Sequence, residues 1–186
     1  FFYNAARDEW CYSILSPASS REDGAWDHKR IRRYAEGDDL ITAAHSWPRL
    51  GNPDWRNSAE GRDMAMIPTV WVGADRLDPT TRGSAYLTDM YHLDAVAYES
   101  VMVGLFSILR EPGPPEYPKR TDKINNICVG FSRDGFHWDR PCREPILDVA
   151  DDLSAWNASN MQSAGGCFLV VEDELFFFCS ARGGST

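Results

Sequence analysis

The feature that most restricts the fold is a recurring unit: an apolar run, a short polar break, and a second apolar or aromatic run. Residues 1–14 read Phe1-Phe2-Tyr3-Asn4, then a polar turn around Arg7-Asp8, then Trp10-Cys11-Tyr12-Ser13-Ile14. Residues 167–181 repeat the pattern around Glu172-Asp173, with Cys167-Phe168-Leu169-Val170-Val171 before the break and Leu175-Phe176-Phe177-Phe178 after it. Two strand-like runs separated by a polar pair must double back, so each segment reads as a β-hairpin. The middle of the chain supplies a third unit. Residues 94–110 form a long strand candidate, 111–119 a Pro-rich loop and 124–132 a second strand. Ser132-Arg133-Asp134-Gly135-Phe136-His137-Trp138 then makes a tight turn, in which Asp134-Gly135 supplies the positive φ angles of a two-residue hairpin and Trp138 begins the returning strand. Such units, recurring every several dozen residues, predict a radially repeated antiparallel sheet.

Composition agrees with strands rather than helices. Aromatic residues make up 12% of the 186 residues, and 14 Gly and 11 Pro punctuate them, a mixture suited to short strands joined by turns. A chain of this length can bury a real core without cross-links. The net charge of −9 argues against nucleic acid or an anionic membrane as partner, because phosphate binding needs a surplus of Lys and Arg on the contact face. The longest apolar run, 101–109, is interrupted by Gly104 and Ser107 and is strand-length, so no membrane span is expected.

The segment 38–91 is rich in Pro, Asp, Arg and Trp and reads as long loops around one strand-like run at 67–72. Residues 27–37 carry Ile31, Tyr34 and Ala35 at helical spacing, which predicts a short helix with a strand as the close competitor. The basic run His28-Lys29-Arg30-Ile31-Arg32-Arg33 reads as a solvated face paired with Glu36, Asp38 and Asp39. Both ends of the chain lie against apolar strand patterns, whereas domain boundaries usually fall in polar linker; the expectation is an internal segment of a longer protein. The five cysteines, Cys11, Cys128, Cys142, Cys167 and Cys179, include no C-x-x-C pair, and all but Cys142 lie in apolar runs, which suits small buried hydrophobes in a reducing, cytoplasmic compartment rather than a zinc site.

From Ser132 to Trp138 the chain resembles the blade hairpins of the five-bladed β-propeller glycoside hydrolases, the superfamily of families 32, 43, 62, 68 and 130. The resemblance is carried further by Tyr98-Glu99-Ser100-Val101-Met102-Val103-Gly104-Leu105-Phe106, by Val129-Gly130-Phe131 leading into that turn, and by Gln162-Ser163-Ala164-Gly165-Gly166 before the last hairpin. It spans most of the chain and is firmest from Leu93 onward. It implies an all-β fold, a partial five-bladed propeller of about three blades of antiparallel strands, with residues 1–186 one incomplete domain. It also implies a carbohydrate substrate.

Glycosidic bond cleavage needs two carboxyl groups flanking one bond. Glu99 is the first candidate: on a continuous strand, alternation places it on one face with Ala95, Ala97, Val101, Val103 and Leu105, where lost hydration would favour the protonated acid. The resembling families place an acidic Glu at the start of an inner strand, and Glu99-Ser100 is similar to that motif. Asp94 falls on the opposite face with Val96 and Tyr98 and suits a loop–strand junction. Asp63, in Arg62-Asp63-Met64, is similar to the Arg-Asp-Pro that families 32 and 68 use for transition-state stabilisation, with Met64 in place of the proline; a solvated loop pair is the competing reading. Asp75 and Asp78 are rivals, although Asp78-Pro79 also makes a turn. The base or nucleophile of those families lies on the first blade and is expected upstream of Phe1.

Exposed aromatics and planar hydrogen-bonding groups bind sugar rings, which nominates Trp71, His92, Tyr98, Gln162 and Arg182, with Tyr91, Trp156 and Asn160 behind them. Without a second His at ligand spacing no transition-metal site is expected, and no cofactor; calcium, held by Asp and backbone oxygens, stays open. The reading is a glycoside hydrolase-like protein acting on a non-reducing-end sugar. A non-catalytic carbohydrate-binding propeller and a phosphorylase of the family 130 type remain as alternatives.

Overall fold

The computed structural model describes residues 1–17, 30–46, 68–80, 88–110 and 124–183. The fold is all-β, with three antiparallel sheets and one short helix among the described residues. The first sheet orders β1 (Phe2–Asn4), β2 (Glu9–Pro17), β3 (Arg30–Gly37) and β4 (Thr69–Gly73) side by side. The central sheet is β5 (Asp89–Tyr98), β6 (Val101–Arg110) and β7 (Ile124–Ser132), and the last sheet pairs β8 (Ser159–Val171) with β9 (Glu174–Arg182). The helix, α1 (Leu40–Ser46), follows β3.

Two of the expected hairpins form as read. Asn4 pairs with Glu9 across the first turn, and Val171 pairs with Glu174 across Glu172-Asp173. The run 94–110 is different: it is not one strand but the β5–β6 hairpin, with Tyr98 opposite Val101 and Glu99-Ser100 as its two-residue turn. Residues 27–37 form no helix where they are described, because Arg30–Gly37 is β3. Nor do the described arginines of the basic run, Arg30, Arg32 and Arg33, form a solvated face. Arg30 binds Asp89 at 2.7 Å, Arg32 is buried against Ser13 and the Tyr91 carbonyl, and Arg33 donates to the Pro68 carbonyl at 3.0 Å. Conversely, 38–91 holds a helix as well as a strand. Asp39 caps α1 by accepting from the Thr42 N–H at 2.7 Å.

The central sheet lies between the other two and is apolar on both faces. Leu93, Ala95, Met102 and Phe106 face the first sheet, where they meet Phe2, Cys11, Tyr34, Trp71 and Trp138. Val96, Val103, Leu105 and Ile127 face the last sheet and pack on Met161, Cys167 and Phe168. Strands covered on both sides carry near-continuous apolar sequence, which is why 94–110 hides its turn.

The Ser132–Trp138 loop locks the first sheet to the central one. It is wider than a two-residue hairpin: Phe131 bridges to Asp139, so seven residues separate the partners. Asp134 organises it, its Oδ1 accepting from the Phe136 and His137 N–H groups at 2.9 and 2.8 Å. Burial alone would raise this carboxyl's pKa; the donors from His137, Phe136 and Ser132 outweigh it and hold the group well below the usual carboxylate range. Gly135 sits at φ +71°, and a Cβ there would lie 2.2 Å from Nδ2 of the buried Asn4. Asn4 in turn donates to the Asp134 carbonyl at 2.7 Å. A second lock joins loop to loop: Arg140 binds Asp78 at 2.7 Å with both side chains buried, and Arg143 binds Asp75 at 3.0 Å.

Candidate functional site

Asp94 is a carboxylate that the fold buries beside an imidazole and a hydroxyl. It is 4% exposed, on the face of β5 turned toward the last sheet. His92, two residues earlier in unbroken register, lies on that same face by alternation, and the imidazole Nε2 lies 2.6 Å from Asp94 Oδ1. From the last sheet, Ser163 Oγ donates to Asp94 Oδ2 at 2.5 Å. Both carboxylate oxygens are therefore engaged, one within the strand and one across the seam between sheets. Arg32 approaches from the first sheet, 5% exposed, with Nε on Ser13 Oγ at 2.8 Å and a terminal nitrogen on the Tyr91 carbonyl at 3.0 Å. Desolvation lowers the Arg32 pKa to about 10, and the nearby Asp94 charge opposes that shift.

The last sheet makes room for this contact by a wide bulge. Ser163 pairs with Cys179 and Phe168 with Phe177, so β8 has four residues between those pairs where β9 has one. Ala164, Gly165 and Gly166 are exposed there, and Cys167 turns back into the core at φ +67°. Burial first, and Asp94 second, push the Cys167 thiol up to about 12, so it is an inert thiol rather than a nucleophile.

The connectivity decides what this cluster can do. In a serine-nucleophile triad the imidazole stands between hydroxyl and carboxylate. Here the carboxylate stands between imidazole and hydroxyl, so His92 does not activate Ser163. Asp94 instead orients two groups: a half-exposed imidazole and a hydroxyl whose lone pairs remain for a ligand. Comparison with models of known protein families, with curated protein sequences and with solved structures finds no match.

Of the described residues nominated from sequence, only His92 joins Asp94. Glu99 stands in the β5–β6 turn, exposed and at φ +50°, so the apolar surroundings on which its acid role rested are absent. The turn breaks the alternation that was carried through 94–110. Trp71 belongs to the packing between the first and central sheets: its N–H donates to the Phe136 carbonyl at 2.7 Å and its ring meets Phe2, Tyr34, Phe136 and Trp138. Tyr98 packs edge-on against Phe168, with centroids 5.7 Å apart. Gln162 neighbours Ser163 but, by alternation, points to the outer face of the last sheet with Arg182. Trp156 is exposed, and Asp63 lies outside the described residues. Sequence reasoning set Asp94 aside and missed Ser163 and Arg32. The usable signal was an acid in the stripe Asp94, Val96, Tyr98, which the hairpin turns onto a buried face. Among the described residues no three His, Cys, Asp or Glu side chains form a metal-holding group.

Proposed function

We propose that this chain is part of a glycoside-processing β-propeller and that Asp94 is a carboxylate of its sugar-handling centre. The observation that carries the reading is the buried Asp94, gripped by His92 and by Ser163 of the adjacent sheet. Three antiparallel sheets stacked face to face are what successive blades look like, and the Ser132–Trp138 loop carries the family likeness. In this reading Asp94 takes one of the two carboxyl roles of glycoside cleavage through an oxocarbenium-like transition state, and Asp63 is the partner proposed from its Arg-Asp context. His92, oriented by Asp94, bonds a substrate hydroxyl or exchanges a proton with it. Ser163 positions Asp94 and offers its oxygen to a ligand hydroxyl.

A second reading is favoured by one observation: among the described residues Asp94 is the lone carboxylate of its cluster. A site with a single carboxyl suits a carbohydrate-binding propeller without catalysis. A panel of aryl glycosides, with calorimetric titration of the matching free sugars, separates the two. Turnover that falls when Asp94 is changed supports the hydrolase. Sugar binding that depends on Asp94 without turnover supports the binding protein. Neither turnover nor binding across the panel overturns both.

A further inference from the structure

β9 ends the last sheet: among the described residues it pairs with β8 on one side and with no strand on the other. An unpaired edge exposes a row of N–H and C=O groups, and folds usually blunt such an edge with Pro, Lys, a bulge or very short length. β9 has none of these. Its nine residues, 174–182, contain neither Pro nor Lys, and where the register of this sheet shifts the extra residues lie on β8. We propose that a second copy of this chain occupies the edge, β9 pairing antiparallel with its counterpart about a twofold axis at Phe178, so that the two hairpins become one four-stranded sheet.

The side chains of β9 select both the occupant and the register. Cys179 and Ala181 pack toward the central sheet. By alternation Leu175 and Phe177 share that face, and Glu174, Phe176, Phe178, Ser180 and Arg182 share the outer one. In an antiparallel pair centred on Phe178, Glu174 of each copy lies opposite Arg182 of the other, and the symmetry repeats this charge pair at both ends. Glu174 and Arg182 are exposed, and neither makes an ion pair among the described residues. Between them, Phe178 meets its own copy with Phe176 on the diagonal, and these rings are 53% and 42% exposed in the single chain. On the inner face Leu175 lies opposite Ala181 and Phe177 opposite Cys179, so every pair there is apolar.

Moving the axis to either neighbouring residue breaks both charge pairs, and a parallel, in-register arrangement sets like charges side by side. The edge of β9 is therefore self-complementary in one arrangement. A sheet of two strands gains little stability of its own, whereas four strands hold one another in place. Pairing thus steadies the hairpin that carries Ser163 to Asp94, without taking part in the chemistry there.

The test is sedimentation velocity of the full chain over a concentration series. It is run in about 0.15 M salt, which screens the long-range repulsion between two copies of net charge −9. A reversible dimer of twice the 21.0 kDa chain mass is expected. Glu174→Arg sets arginine against arginine at both ends, and Arg182→Glu sets glutamate against glutamate; each should weaken the dimer about tenfold or more. The double variant exchanges the two charges and should return Kd to within about threefold of the wild-type value. Circular dichroism checks that each variant stays folded. Asp94→Asn should leave Kd unchanged, so dimerisation and aryl-glycoside turnover fail separately. A monomer at every concentration up to about 1 mM would assign the edge to another polypeptide and overturn the proposal. A dimer indifferent to both single reversals, or one that the double exchange does not restore, would overturn it too.

Discussion

Replacing Gly135 with alanine forces a Cβ into the space where the first sheet touches the central one. The new atom would lie 2.2 Å from Asn4 Nδ2 and 2.6 Å from its Cγ, and Asn4 is fully buried, so its amide has nowhere to swing. The backbone at φ +71° adds about 1–2 kcal/mol for a residue with a side chain. Displacing Asn4 breaks its 2.7 Å bond to the Asp134 carbonyl. That loss adds about 1 kcal/mol. The sum, about 2–3 kcal/mol, should appear in urea denaturation as a lower midpoint at constant slope. The clash makes a sharper claim, because it disappears when Asn4 is already truncated. In an Asn4→Ala background Gly135→Ala should cost only its backbone part, giving a coupling of about 1 kcal/mol between the two sites. Additive effects within about 0.3 kcal/mol would refute the close approach of β1 to this loop.

Asp78→Asn should destabilise by about 1.5–3 kcal/mol in the same assay, because it leaves the buried Arg140 guanidinium with only the more exposed Asp75, at 3.4 Å, as counter-charge; an unchanged midpoint would contradict the pairing. Glu99→Gly should raise stability by about 0.5 kcal/mol, since glycine accepts the left-handed turn position at less cost. Glu99→Gln should leave aryl-glycoside turnover intact, and a loss of turnover would restore Glu99 to the chemistry. In thiol labelling at pH 8 the exposed Cys142 should react first. Cys128 and Cys167, pushed by burial to about 11 and about 12, should react only on unfolding, as mass spectrometry of labelled peptides would show.

The hairpins were legible because polar pairs such as Glu172-Asp173 interrupt apolar runs. The β5–β6 turn was not, since Glu99-Ser100 lacks the Asn-Gly or Asp-Gly chemistry that marks a two-residue turn, and both flanking strands are apolar from being covered on two sides. One misplaced turn then moved the acid. Alternation was the right tool for finding a carboxyl on a buried face, but applied to an unbroken strand it selected Glu99 instead of Asp94. Ile31 and Tyr34 suit a helix as well as a strand, and the tertiary setting of β3 between β2 and β4 decided for the strand. The cap at Asp39 was present in the sequence and unused. Ser163 had no local signal at all, because its contact with Asp94 spans 69 residues and depends on the bulge that follows it.

The central claim is that Asp94 works on sugar. Its most direct test is kcat/KM of the full chain and of Asp94→Asn on the aryl glycoside that turns over fastest, with folding checked by denaturation. The substitution keeps the size of the side chain and removes only the carboxylate. Loss of an essential carboxyl should lower kcat/KM by about a thousandfold or more, chiefly through kcat. A folded Asp94→Asn protein that turns over at the wild-type rate would contradict the account.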